Sequence, residues 1–360
     1  MNFSLKISAL FIAAPLLYAE ATPPASLLAL SKSDRTLAIV DPATNKVIAK
    51  MPSGPDPHEV VASIDGKYAY ISNYGSGAYN TIGVIDLVGQ KALPPIDLGA
   101  LRGPHGLMYV GGKLYFTAEA AKAIGSYDPA TQKIDWILGT GQNRTHMVWV
   151  TADQKKLVTS NVSSATMTFI EKSAGGGRGP GRGPGGPPPG GPPPGGRGPC
   201  PGRGPGGPPQ GDWDETIVAV GRGAEGFDVS PDGKELWAAN AEDGTISILD
   251  FAGKKVIATL DANVNGANRL KFTPDGKLVF VTTLSGPDLL VIDAATRKTL
   301  KRVPTGKGAA GIQMRPDGEI AYLGCTPDNY VAIVSLKTLE VLGHIDVGPQ
   351  PDGLAWAIRP

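Results

Sequence analysis

Short apolar runs of five or six residues, each closed by turn formers, recur along the whole chain. They fall at 27–31, 36–40 and 46–51, then at 59–63, 68–73, 82–86 and 93–98. The runs are too short for helices and rich in Val, Ile, Tyr and Thr, so they read as strands. Two turns punctuate them. Asp65-Gly66-Lys67 returns as Pro231-Asp232-Gly233-Lys234, Pro274-Asp275-Gly276-Lys277 and Pro316-Asp317-Gly318-Glu319. Proline fixes φ at the first turn position, Asp tolerates the next, and Gly takes the positive φ that closes a hairpin. Asp41-Pro42-Ala43-Thr44 returns as Asp128-Pro129-Ala130-Thr131 and Asp293-Ala294-Ala295-Thr296. The first turn joins strands one and two of a four-stranded unit, the second joins strands three and four.

A third recurrence marks the entrance to each first strand. It reads Pro57-His58-Glu59-Val60, Pro104-His105-Gly106-Leu107, Thr145-His146-Met147-Val148, Ala224-Glu225-Gly226-Phe227, Ala267-Asn268-Arg269-Leu270, Ala309-Ala310-Gly311-Ile312 and Pro351-Asp352-Gly353-Leu354. The steps between the second residues are 47, 41, 79, 43, 42 and 42. Four strands and two signature turns per step describe a propeller blade. Seven junctions predict an all-β, seven-bladed β-propeller over residues 22–360 as one unit. The chain opens on strands two to four and ends on a lone first strand at 354–358. The N-terminal strands and the C-terminal strand must therefore close the last blade together, which removes the open sheet edges.

The long step is explained by residues 174–211. Of these 38 residues, 31 are Gly or Pro, with Arg178, Arg182, Arg197 and Arg203 interspersed. Such a segment lacks the apolar surface to fold and is expected to stay disordered or polyproline-like. It lies between the runs at 167–170 and 217–220, so it replaces the turn between strands three and four of one blade, on the face opposite the marked column. A solvated loop is the expected role, with contact to an anionic envelope polymer as the other possibility.

Charge and cysteine content narrow the function classes. The formal net charge is +1, which gives no bias toward nucleic acid. Residues 1–21 combine Lys6, an apolar stretch over 7–18 and Ala19-Glu20-Ala21, the pattern of a cleaved export signal. The mature chain is then expected to begin at Thr22, in the periplasm or outside the cell. No later run is apolar and long enough to span a bilayer. Cys200 lies in the Gly/Pro segment and Cys325 at a strand end, so no structural bridge is expected. A monomer is expected.

Tyr68-Ala69-Tyr70-Ile71-Ser72-Asn73 followed by Ile82-Gly83-Val84-Ile85-Asp86 resembles the repeat of the YVTN, YncE-like seven-bladed propellers. Glu235-Leu236-Trp237-Ala238-Ala239-Asn240 with Ile246-Ser247-Ile248-Leu249-Asp250 is similar to the same unit, as are 279–283 with 290–293. The resemblance covers nearly all of the mature chain except the Gly/Pro segment. It implies a propeller and an exported protein, and says little about activity. Related propellers bind copper clusters through histidines at blade starts, or carry haem. Here the histidines are too few for a multi-copper cluster, no Cys-x-x-Cys-His attachment site is present, and the Trp-Gly motif of quinone-cofactor propellers is missing. No haem, PQQ or nucleotide is expected.

Three of the four histidines fall in the marked column, on successive blades. His58, His105 and His146, with Glu225 next in order, are expected to converge on the channel mouth. Imidazole nitrogens and a carboxylate oxygen suit a single Zn, Cu or Fe ion and leave room for water or a ligand. A metal-free polar pocket is the alternative. Glu119, Arg144, Asn268, Arg269 and Asp352 are candidate pocket residues, with Arg269 and Asp352 expected to pair across the channel. A second column ends strand two on the same face: Ser31, Asn73, Ala118, Asn161, Asn240, Thr283 and Cys325. These are expected to hydrogen-bond between blades, or else to orient the histidines. His344 is expected on the outer surface. The function expected is a binding protein for a metal, small ligand or envelope component. The alternative is a metal-dependent hydrolase, lyase or oxidoreductase using Glu225 as ligand or base.

Overall fold

A computed structural model of the chain describes residues 20–173 and 213–360. These residues form seven antiparallel four-stranded sheets, with a single 3-10 turn at Gly75–Gly77 as the helical element. Blades two to seven begin with the strands Pro57–Ala62, Pro104–Val110, Thr145–Val150, Ala224–Val229, Ala267–Phe272 and Ala309–Met314. Blade one combines Pro351–Ile358 with Ala25–Ser31, Thr36–Asp41 and Lys46–Pro52. The two ends of the chain are zipped in register from Ala25↔Ile358 to Ala29↔Leu354. The first strands of all seven blades surround a central channel of about 400 Å³.

Alternation explains the packing. Apolar residues on both faces of the inner strands interdigitate with the neighbouring blade. Trp237, Ile246 and Ile248 of blade five, for instance, meet Leu270, Val279, Val281 and Leu290 of blade six. The fourth strands are half-solvated, as in the alternating burial of Lys133–Gly139.

The expected export segment lies outside the described residues except for Glu20 and Ala21, and the Gly/Pro segment 174–211 lies wholly outside them. The strands on either side of that segment, Thr166–Lys172 and Trp213–Ala219, pair along their full length to Lys172↔Trp213. The ladder is complete without the segment. Replacing residues 175–210 by a short turn is therefore expected to leave the thermal unfolding midpoint unchanged, as followed by circular dichroism.

One local feature repeats in every blade and decides where the site lies. The first strand carries one residue more than its partner between successive pairs. His58 and Glu59 stand against Ser72, His105 and Gly106 against Thr117, and His146 and Met147 against Ser160. The same bulge occurs at Glu225, Asn268, Ala310 and Asp352. A bulge bends its strand and re-aims a side chain out of the pleat. Here it turns the marked column toward the axis. The blades also approach closely at this level. A Cβ on Gly106 would lie 2.5 Å from the His146 carbonyl oxygen, and one on Gly311 would lie 2.1 Å from that of Asp352.

Candidate functional site at the channel mouth

The backbone around the marked column is tied blade to blade. Thr117 accepts a hydrogen bond from the Gly106 N–H at 2.8 Å and donates to the His146 carbonyl at 2.7 Å. Ser160 does the same between the Met147 N–H (3.2 Å) and the Glu225 carbonyl (2.6 Å). These hydroxyls satisfy backbone groups that the bulge frees from the ladder. They also fix His146 and Glu225 against one another.

Inside this frame the rings gather. His105 and His146 lie side by side, with centroids 3.8 Å apart and planes tilted by 35°. His58 stands edge-on to His105 at 5.0 Å. Tyr74 packs edge-on against both His58 and His105, at 4.9 and 5.1 Å. Glu119 completes the cluster from beneath. Its Oε1 is 2.5 Å from His146 Nδ1, and its Oε2 accepts the Tyr74 hydroxyl at 2.5 Å. Glu225 Oε2 approaches His146 Nε2 to 2.7 Å. That contact is an ion pair, whereas His105 Nδ1 is buried with no hydrogen-bond partner among the described residues. Ligand atoms of His105, Glu119 and His146 lie within 4.8 Å of one another.

Charge in this cluster follows from burial and neighbours. Burial holds the His105 imidazole well below its usual pKa, reinforced by His146 and His58, so His105 is neutral. Burial also opposes charge on His146, but Glu225 and Glu119 outweigh it and raise its pKa. Glu225 is the converse: burial favours its neutral form, yet His146, Arg269 and Arg144 bring it down to about 2. Burial and the ammonium of Lys32 lower His58 to about 4.

His58 is thus differently placed from the other two histidines. Lys32 Nζ lies 3.0 Å from both of its ring nitrogens. The compact cluster takes Glu119 in its place, and Glu225 joins through His146. The expected Arg269–Asp352 pair is not formed. Arg269 donates instead to Glu59 across the channel and to Asn268 at 3.1 Å, while Asp352 pairs with Lys32 at 3.2 Å. A mouth pocket of about 430 Å³ is lined by His58, His105, Arg144, His146, Glu225, Asn268, Arg269 and Asp352, and Arg269 also lines the central channel together with Glu59.

Of the second column, Asn73, Asn161, Asn240 and Cys325 do not line that pocket. Asn73 donates to the Ser53 carbonyl and the Cys325 thiol to that of Thr305, each at 3.4 Å. Both carbonyls belong to the segment leaving the preceding blade. Asn161 bonds to threonine hydroxyls in strand three of its own blade. The Asn240 amide, oriented to satisfy both its atoms, accepts from the Thr245 and Ser247 hydroxyls and donates to the Gly221 carbonyl at 3.3 Å, in the segment leaving the preceding blade. Burial pushes the Cys325 thiol up to about 12, so it stays protonated, and it is unbridged among the described residues. His344 is exposed on an outer strand and stacks on Tyr330 at 4.0 Å.

Lys32, Asp56, Glu59, Tyr74 and Gln350 were not anticipated. A signal for two of them exists in the repeat. The position one beyond the second column holds the ionisable residues Lys32, Tyr74 and Glu119 in blades one to three, then Val162, Ala241, Leu284 and Thr326. Polar chemistry thus occupies one side of the ring, beside the histidines.

No protein-family model matches the chain, and no curated protein sequence matches it. Solved structures match its fold. A candidate 6-phosphogluconolactonase from Bacteroides uniformis superimposes with a TM-score of 0.70 at 13% identity, covering 93% of this chain and 100% of its own. A protein of unknown function from Desulfotomaculum acetoxidans gives 0.69 at 11% identity, over 92% and 98% of the two chains. Hydrazine synthase from Kuenenia stuttgartiensis gives 0.66 at 17% identity, over 92% and 99%. Likeness at these identities carries the seven-bladed propeller fold alone.

Proposed function

We propose that the chain is an exported propeller of the YVTN, YncE-like kind that binds a divalent transition metal at its channel mouth. His105, His146 and Glu119 supply ligands, and Glu225 stands beside them as a fourth. The observation that carries this is the buried His105 Nδ1, which has no hydrogen-bond partner among the described residues and lies beside His146 and Glu119. An unpaired buried polar atom costs roughly 1–3 kcal/mol, a penalty that coordination removes. Charge balance points the same way. Asp56, Glu59, Glu119, Glu225 and Asp352 face only Lys32, Arg144 and Arg269 among permanently charged partners. With a proton on His146 the excess is one, and a divalent ion that displaces this proton neutralises the two charges then left. Two nitrogens and carboxylate oxygens suit Zn, Cu or non-haem Fe.

A metal-dependent enzyme is the second reading, favoured by the hydrogen-bonded run from Tyr74 through Glu119 to His146. Glu225, held at about 2, is a weak base for proton abstraction near neutrality, which favours binding over catalysis. Elemental analysis of protein purified from the periplasm tests the proposal. Near-stoichiometric metal that disappears in His105→Ala supports it. Metal-free protein from metal-replete cells ends it.

A further inference from the structure

Two positions before each marked residue, the backbone passes through the left-handed region in every blade. Asp56, Gly103, Arg144, Gly223, Gly266, Gly308 and Gln350 all have positive φ. Four of the seven are glycine, which adopts this conformation without a Cβ penalty. The other three blades keep the conformation and carry a side chain through it, at φ 45° for Asp56, 53° for Arg144 and 54° for Gln350. All three serve the mouth. Arg144 and Gln350 line the pocket, and Asp56 reaches Lys32 at 3.3 Å. Side chains held where the repeat otherwise uses glycine represent strain kept at a functional site.

Arg144 is the one with an open valence. Its Nε is 3.6 Å from Glu119 and its terminal nitrogen 3.7 Å from Glu225, both beyond hydrogen-bond reach. The other two pocket cations are consumed internally, Lys32 by His58, Asp56 and Asp352, and Arg269 by Glu59 and Asn268. Arg144 thus offers a fork of donors over the two carboxylates that flank His146. A guanidinium fork matches the two oxygens of a carboxylate better than any neutral group.

We propose that the mouth pocket binds a small carboxylate ligand, with Arg144 holding one carboxylate oxygen while the ion at His105 and His146 takes the other. The second contact rests on the metal reading above, whereas the Arg144 contact does not. Uncharged ligands of the same size are disfavoured, because they leave the fork unpaired. Gln350, whose side-chain amide has no partner among the described residues, supplies a neutral contact on the opposite wall.

The test uses the full chain loaded with Co²⁺, whose visible absorption reports its coordination, titrated with acetate at constant ionic strength. A saturable spectral change is expected in the unaltered protein. In Arg144→Gly the acetate Kd should rise at least about tenfold, with Arg144→Lys in between. The unfolding midpoint of Arg144→Gly should be unchanged or higher, since glycine relieves the left-handed strain. Equal acetate affinity in Arg144→Gly means the ion alone holds the anion and overturns the proposal. So does a marked fall in midpoint, which makes Arg144 a structural tie. Failure of the unaltered protein to take up Co²⁺ ends the metal reading instead. Calorimetric titration of the metal-free proteins with acetate then decides for Arg144: heat present in the unaltered chain and lost in Arg144→Gly supports it, and equal or absent heats overturn it.

Discussion

His146→Ala is expected to abolish metal uptake and to cost the metal-free protein about 3–5 kcal/mol. His146 lies between Glu119 and Glu225, and the side chains of His146 and Glu119 are each only 3% exposed. Removing the imidazolium leaves two carboxylates near each other with only the guanidiniums of Arg144 and Arg269, neither hydrogen-bonded to them, as counter-charges. Breaking a buried ion pair by deleting one member costs far more than the pair's net worth, because the survivor stays desolvated. The pH dependence has a definite sign. The His146 pKa is raised above 6.5, so its contribution is complete below 6.5 and fades as pH rises through the higher folded value. Glu225 is lowered from 4.5 to about 2, so its contribution is complete above 4.5 and fades as pH falls through about 2. Both act together between 4.5 and 6.5. Burial lowers His58 and His105, so their contributions are complete above 6.5 and fade as pH falls below it. Denaturant titrations of the metal-free protein should therefore show greatest stability near pH 6.5, and His146→Ala should lack the decline above it. A variant with unaltered stability across this range would remove the charged pair from the account. Metal changes the profile in the loaded protein. An ion must displace the proton on His146, so affinity falls as pH drops, about tenfold per unit once that proton is bound.

Gly106→Ala is expected to destabilise the fold by about 3 kcal/mol, at the upper end of overpacking costs, and to weaken metal binding as well. The added Cβ would lie 2.5 Å from the His146 carbonyl oxygen and 2.7 Å from the Met147 Cα. Both are backbone atoms, so no rotamer change relieves the contact and blade four must move. The atoms that move are those Thr117 holds in place for His146. Chemical denaturation gives the stability loss, and metal titration of the same variant gives the second effect. A loss of stability with unchanged metal affinity would separate the blade contact from the site. The same close approach recurs at Gly226, Gly311 and Gly353, so comparable stability losses are expected there without a direct effect on His146.

The amino-acid sequence alone determined the blade count, the closure of the ring by both chain ends and the gathering of the histidine column. All three follow from periodicity: near-equal steps between similar turns, with one long step, leave a closed ring as the way to bury every blade face. It also placed His105, His146, Glu225, Arg144 and Asp352 at one mouth, because circular symmetry brings equivalent positions together. Tertiary structure alone decided which of these act on each other. Glu119 rather than His58 completes the compact cluster, because Tyr74 and Glu119 enter from a neighbouring column whose ionisable members occupy only three blades. Arg269 chose Glu59 over Asp352, since Lys32 from blade one had already reached that aspartate. Repeat periodicity fixes the angle and height at which a residue meets the axis. It does not fix where a side chain several bonds long places its charge, and across a channel only a few ångströms wide that decides every pairing.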